Sequence, residues 1–383
     1  MDPGQDLDDE MFLVMLSALS ARGLVRCLGV VCTLEPATIR AQLARGTLNE
    51  LGLHEVPVAA GSDGGASGRV EELKKEVTYL TPVPQMSGMQ LMINVLQEAA
   101  PHSVSLVLIS SLKDAADLLR EHEALFAERV KEVVIQGGVK ATEDPSGGSS
   151  SEPFFLEPDT AHNNMFDEGS SRFLYRRCQE LGVPLVVLSR HAAYACQMPR
   201  AIYDDMAGTG SVIGKQLQQR QAQSIEQLWR RACAPDGSEA REGLPARCNK
   251  AWFCDTFCRG KGAERDGSQP IWDLVSSFNM YDPLALLLAT PQLAHFFNPE
   301  IVVVGETEHW VVGTSKEVPG VADSVGLIEY MCSAFMEGLR SQKYKLFAEM
   351  QEQYNRLAHE VKALRAENEE LRSRGVSNSH TRS

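Results

Sequence analysis

Apolar positions along this chain fall into short unbroken runs separated by longer amphipathic stretches. Leu24–Val31 (LVRCLGVV) reads as a buried strand, followed by a helix across Ile39–Leu51 and a short strand at Val56–Ala60 that ends in a Gly-rich turn. Met86–Ala100 has helical periodicity, Val104–Ile109 (VSLVLI) reads as a strand, Lys113–Ala127 as a helix and Val130–Ile135 as another strand. Ser170–Leu181 predicts a helix and Pro184–Leu188 a strand; helices resume near Pro283, and Ile301–Val304 is a late strand. Strands this apolar, alternating with helices, predict an α/β fold: a mostly parallel open sheet with helices on both faces. Ligands of such sheets bind beyond the carboxyl ends of the strands, so the residues just after each strand are where chemistry is expected. Residues 141–151 (ATEDPSGGSSS) read as a loop, and 234–269, rich in charge and Gly, as an insertion near the site mouth.

The pattern changes near the end. Phe347, Tyr354, Val361 and Asn368 recur at a positions of a heptad, and Met350, Leu357, Leu364 and Leu371 at d. Glu360 and Glu367 at g lie five residues before Arg365 and Arg372 at e, the spacing that pairs charges across a parallel two-stranded coil. The chain therefore divides into a domain over 1–340, a coiled-coil dimerisation helix over 341–374 and a disordered tail over 375–383. A broader stripe packed on the domain is the competing reading, and a different zipper protein could replace the second copy.

Composition narrows the class. The 383 residues carry a net charge of −14, which leaves no electrostatic footprint for nucleic acid. No run approaches the ~18 apolar residues of a membrane span, and no leader precedes the first motif. Nine cysteines without a framework suggest reduced thiols and a cytoplasmic protein. Cys233, Cys248, Cys254 and Cys258 are too irregularly spaced for a zinc site, and read as incidental thiols.

Chemistry concentrates at the start. Asp2, Asp6, Asp8, Asp9 and Glu10 crowd a Pro-Gly turn before the apolar run Met11–Leu19. So many carboxylates repel one another unless a cation sits among them, and Ca²⁺ takes six to eight oxygen ligands. The alternative is that Asp8, Asp9 and Glu10 only complement a helix dipole. An EF-hand fails, because counting from Asp6 the sixth position is Met11 and the twelfth Ser17. After the later strands come Ser110-Ser111-Leu112-Lys113-Asp114, then Gln136-Gly137-Gly138, then Asn163-Asn164 within PDTAHNNMFD; Tyr281-Asp282-Pro283 sets an Asp at a helix start. Singly, each is an ordinary turn or cap.

In this order and spacing the residues resemble the inosine–uridine-preferring nucleoside hydrolase family, from Asp2 to about residue 335. The family's Asp-Pro-Gly turn and Asp-Asp pair resemble Asp2-Pro3-Gly4 and Asp8-Asp9, with two extra residues that bring in Asp6. Its Met-Gly-Gly resembles Gln136-Gly137-Gly138, its Glu-Phe-Asn resembles Ala161-His162-Asn163, and its His-Asp-Pro resembles Tyr281-Asp282-Pro283. The resemblance implies a tightly bound Ca²⁺ and hydrolysis of the N-glycosidic bond of a ribonucleoside, as in purine or pyrimidine salvage. It implies Asp2 (or Asp6), Asp9 and Asp282 as metal ligands with the backbone carbonyl of Lys113, Asp2 as general base, and Asp8, Asn163 and Asn164 as ribose-binding residues.

The departures carry expectations of their own. Only Met1 precedes Asp2, where the family has an apolar strand, so Asp2 is expected on a frayed terminus. The family's leaving-group acid is Tyr281 here, a phenol that donates hydrogen bonds but is a poor acid at neutral pH. Thr33 and Ala161 replace two further ribose-binding positions, and His191 and His309 are spare histidines. The expected protein is a Ca²⁺-dependent hydrolase of altered specificity, dimerised by its coiled coil. The alternatives are a non-catalytic nucleoside- or metal-binding scaffold and a hydrolase of another N-riboside.

Overall fold

In the computed structural model the described residues are 1–4, 7–65, 79–140, 154–242, 244, 246–340, 354, 356–357 and 361–362. The elements run α1 (Asp8–Ala21), β1 (Val30–Cys32), α2 (Ala37–Glu50), β2 (Val58–Ala60), α3 (Gly88–Glu98), β3 (Val104–Leu108), α4 (Lys113–Glu121), α5 (Glu123–Arg129), β4 (Val130–Gly137), α6 (His162–Met165), α7 (Glu168–Glu180) and β5 (Leu185–Ser189). There follow α8 (Arg190–Ala195), β6 (Met198–Pro199), α9 (Ala201–Gly208), α10 (Val212–Cys233), α11 (Lys250–Cys258), β7 (Ser277–Phe278), α12 (Asp282–Leu288), β8 (Glu300–Val304) and β9 (Thr307–Val312). Residues 324–340 form a last helix, α13.

The central sheet has the order β3-β4-β5-β9-β8. Its first four strands are parallel and β8 pairs antiparallel to β9, so the sheet is mixed at one edge. β1 and β2 form a separate parallel pair. Strand side chains alternate between faces, and here both faces are dry. Val133, Ile135, Leu185 and Val187 enter one core with α4 and α7, while Val134, Val186 and Leu188 enter the other with α1 and α12. A strand buried on both sides needs apolar residues at every position, which is why these strands read as unbroken runs.

Three expectations about elements are corrected. The run 24–31 forms a strand only at Val30–Cys32; Leu24, Val25 and Cys27 pack on the core without laddering. The helix expected over 113–127 breaks at His122, which serves both α4 and α5 as a cap. β9, inside the sheet, was not anticipated. The loop at 141–151 and Asp6 lie outside the described residues, as do almost all of the coiled coil (341–374) and the whole of the tail (375–383). Of the heptad seam, Tyr354, Leu357 and Val361 are described; they are exposed and helical. Residues 234–269 contain α11, whose Phe253 packs against Trp229 of α10 with ring centroids 5.1 Å apart. All nine cysteines are free thiols, and among the described residues no helix is long and apolar enough to cross a membrane.

Candidate active site

The acidic turn is built before anything binds to it. Gly4 has φ of 102°, a conformation costly for any residue with a Cβ, and it turns the chain from Asp2 into α1. The Asp2 amide donates to Asp9 Oδ1 at 2.8 Å. Met1 does not fray: its amino group donates to Val31 O at 3.1 Å and its carbonyl accepts from Thr33 N at 2.9 Å. Met1 thus occupies a parallel register beside β1, and Asp2 is buried at 9% exposure. The expectation of a loose Asp2 is corrected by these bonds.

From the far end of the sequence, Pro283 opens α12 and sets Asp282 in its first turn. α12 packs on α1, and this brings carboxylate oxygens of Asp8, Asp9 and Asp282 within 4.8 Å of one another. Asp9 and Asp282 are buried and Asp8 is half-buried. Burial pushes the Asp9 carboxyl well above the usual range, and Asp2 pushes it further. Burial does the same to Asp282, reinforced by Asp8, Asp9 and Asp2. Crowded carboxylates in a dry site raise Asp9 and Asp282 in this way. An all-oxygen donor set of this charge fits a hard divalent cation. Among the described residues this is the one group of three or more acidic, His or Cys side chains close enough to share an ion.

The remaining candidates divide. Asp8 Oδ2 accepts from the Tyr281 amide at 3.3 Å, which ties the acidic helix start to the start of α12. The Tyr281 phenol is pushed up by burial, then by Tyr194 and Asp8, so it stays protonated and serves as a donor. Asn163 is buried and its Nδ2 donates to the Gln136 carbonyl at 3.1 Å and to Gln136 Oε1 at 2.5 Å. Asn164 Nδ2 is engaged with Gly138 O at 3.0 Å and Asp159 Oδ1 at 3.1 Å, an internal brace for the loop after β4. A side chain on Gly138 would collide with the Asp159 carboxylate at 2.4 Å. Lys113 opens α4 with its ammonium on Asp117 Oδ2 at 2.7 Å. His309 lies in β9, where Nδ1 accepts from the Leu185 amide at 3.0 Å, and belongs to the sheet.

Sequence reasoning missed Arg40, Arg220 and the deep burial of Glu10. Arg40 and Glu10 are buried and Arg220 is nearly so, all against the acidic turn. Two long side chains from unrelated helices leave no local signature.

The fold is nucleoside hydrolase-like. The purine-preferring ribonucleoside hydrolase from Gardnerella vaginalis matches with a TM-score of 0.54 at 12% identity, over 89% of this chain and 97% of that one. Two effector proteins are more similar. Effector protein XOO4466 matches with a TM-score of 0.71 at 29% identity, over 88% of this chain and 92% of that one. The type III effector protein XopQ, in complex with adenosine diphosphate ribose, matches with a TM-score of 0.68 at 30% identity, over 89% of this chain and 90% of that one. On that likeness the chain belongs to the same family as XopQ, within the nucleoside hydrolase fold. No protein-family model and no curated protein matches the chain.

Proposed function

We propose that this protein hydrolyses the N-glycosidic bond of a ribonucleoside, with Ca²⁺ held by Asp2, Asp9 and Asp282 and by the backbone carbonyl at Lys113; Asp6 is the alternative first ligand. The Asp8, Asp9 and Asp282 carboxylates, within 4.8 Å of one another, support a cation site on this turn most directly. When bound, the cation supplies Lewis acidity toward a water and toward the vicinal hydroxyls of ribose. The chain's own residues do the rest. Asp2, whose backbone N–H donates to Asp9 Oδ1, takes the proton of the attacking water. Asp8 and Asn163 hold ribose hydroxyls, and Asn164 stiffens the loop that presents Asn163. The bond breaks through an oxocarbenium-like ribosyl cation, which the surrounding carboxylates stabilise. The protonated Tyr281 phenol donates a hydrogen bond to the departing base, a weaker push than an imidazolium gives, so poor leaving groups react slowly. The protein acts in the cytoplasm as a homodimer joined by the helix of 341–374.

A second reading has its own support. The nucleoside hydrolase neighbour is 12% identical, whereas the effectors are 29% and 30% identical and one of them is complexed with adenosine diphosphate ribose. In that reading the site binds a ribosyl ligand such as ADP-ribose without cleaving it. Release of free ribose from a nucleoside panel, and of adenine from ADP-ribose, with Ca²⁺ and with chelator, separates the two. Products formed only in the presence of Ca²⁺ support the hydrolase; saturable binding with neither ribose nor adenine released supports the binding protein.

A further inference from the structure

Three consecutive carbonyls of the acidic turn carry hydrogen bonds from buried arginines. Arg40, 2% exposed on α2, donates from Nη1 to Asp2 O at 2.7 Å and to Pro3 O at 3.1 Å. Its Nη2 donates to Glu35 O at 3.1 Å, which fixes the guanidinium from behind. Arg220, on α10, donates from Nη2 to Gly4 O at 3.2 Å, while its Nη1 pairs with Glu10 Oε1 at 2.5 Å. Glu10 is fully buried and follows Asp9 directly in α1. Asp2 is thus held at both ends of its backbone, its amide on Asp9 and its carbonyl on Arg40.

This placement is costly for a cation site. A guanidinium bonded to the Asp2 carbonyl repels a dication bound by the Asp2 carboxylate, and little water intervenes to screen it. Charge balance alone would be served by the ion itself. What the ion cannot do is satisfy the turn's buried carbonyls, which are expensive to leave unpaired. Ligands already held in place lose less freedom on binding.

We propose that Arg40 and Arg220 are positioning residues that clamp the Asp2-Pro3-Gly4 turn, so that the Asp2 and Asp9 carboxylates stand preassembled for a divalent cation. The clamp rests on the metal site proposed above. It makes a prediction whose sign differs from that of a purely electrostatic role. Removing a positive charge beside a cation site tightens binding if charge is all that matters; removing the clamp weakens it.

The experiment is calorimetric titration of the full chain with Ca²⁺. The variants are Arg40→Met and the charge-balanced pair Glu10→Gln with Arg220→Met, each checked for an intact fold by circular dichroism and its unfolding midpoint. The double variant removes one charge of each sign, so a change in its affinity is not a change in net charge. Both are expected to bind Ca²⁺ about tenfold more weakly or worse, in the range typical when an outer-shell partner is lost. Equal or tighter binding in either folded variant overturns the clamp while leaving the metal site standing. Should Arg40→Met not fold, Arg40→Lys, which keeps the charge but loses the second nitrogen that anchors the guanidinium on Glu35 O, is expected to bind more weakly than wild type; unchanged affinity there overturns the clamp equally. Absence of Ca²⁺ binding in the wild type removes the metal site and the clamp with it.

Discussion

At the scale of residues, Asp8 and Asp282 share one cluster but have different proposed duties. Asp282→Ala removes a buried anionic ligand and should reduce Ca²⁺ affinity beyond the roughly 10–100-fold that loss of an outer-shell partner costs. Asp8→Ala should leave Ca²⁺ bound and raise KM instead, since its proposed contact is to ribose. Titration calorimetry of both variants checks this, and wild-type affinity in Asp282→Ala would refute the ligand assignment. Tyr281→Phe should slow turnover of natural nucleosides about 10- to 100-fold and barely touch p-nitrophenyl riboside, whose leaving group needs no protonation. Equal losses on the two substrates would mean that Tyr281 shapes the pocket and assists no departure. The acids of this site were legible because they sit in adjacent-residue motifs, Asp2-Pro3-Gly4, Asp8-Asp9 and Tyr281-Asp282-Pro283. Asn163 and Asn164 looked equivalent in sequence, and the structure gives them different partners, Gln136 for the one and Gly138 with Asp159 for the other. Arg40 and Arg220 were illegible for the opposite reason: each is one ordinary helical arginine until the fold brings it to the turn.

At the scale of elements, β4 and β5 were legible because burial on both faces makes them runs of apolar residues. The run 24–29 misled because apolarity reports burial and not hydrogen-bond pairing; those residues cover the core beside α1 without joining a ladder. β9 was hidden by Glu308 and His309, polar residues inside a central strand. His309 is fully buried, and burial lowers its pKa from 6.5 to about 4. Because the folded state disfavours the charged ring, the stability contributed by neutral His309 is fully present above pH 6.5 and is lost as the pH falls toward about 4. His309→Asn keeps an acceptor for the Leu185 amide and removes the titration. Its urea midpoint should therefore fall less steeply than that of the wild type across this window. Parallel curves would show that the acid sensitivity of the fold arises elsewhere.

At the scale of the whole molecule, the sheet and its two cores account for the chain as far as Arg340, and the heptads beyond it ask for a partner. Tyr354, Leu357 and Val361, three successive seam positions, are 68%, 60% and 47% exposed on the single chain. Leu at d with a lone Asn368 at a favours a parallel pair. Light scattering should give a dimer for the full chain and a monomer for a version ending at Arg340, with Ca²⁺ affinity unchanged, since no proposed ligand lies beyond Asp282. A monomeric full chain, or a truncated dimer, would remove the coil from the assembly.

The bond from the Tyr281 amide to Asp8 spans 273 positions of the chain. During synthesis the acidic turn leaves the ribosome well before α12. At ~5–20 residues per second, roughly 14 to 55 s pass before Asp282 can reach Asp8 and Asp9. Through that interval the nascent chain exposes its most acidic stretch with no fourth wall, and α1, apolar along nearly its whole length, has lost the face that will cover it. Closure of the acidic cluster is therefore a late event in synthesis, because Asp282 is among the last of its residues to be made.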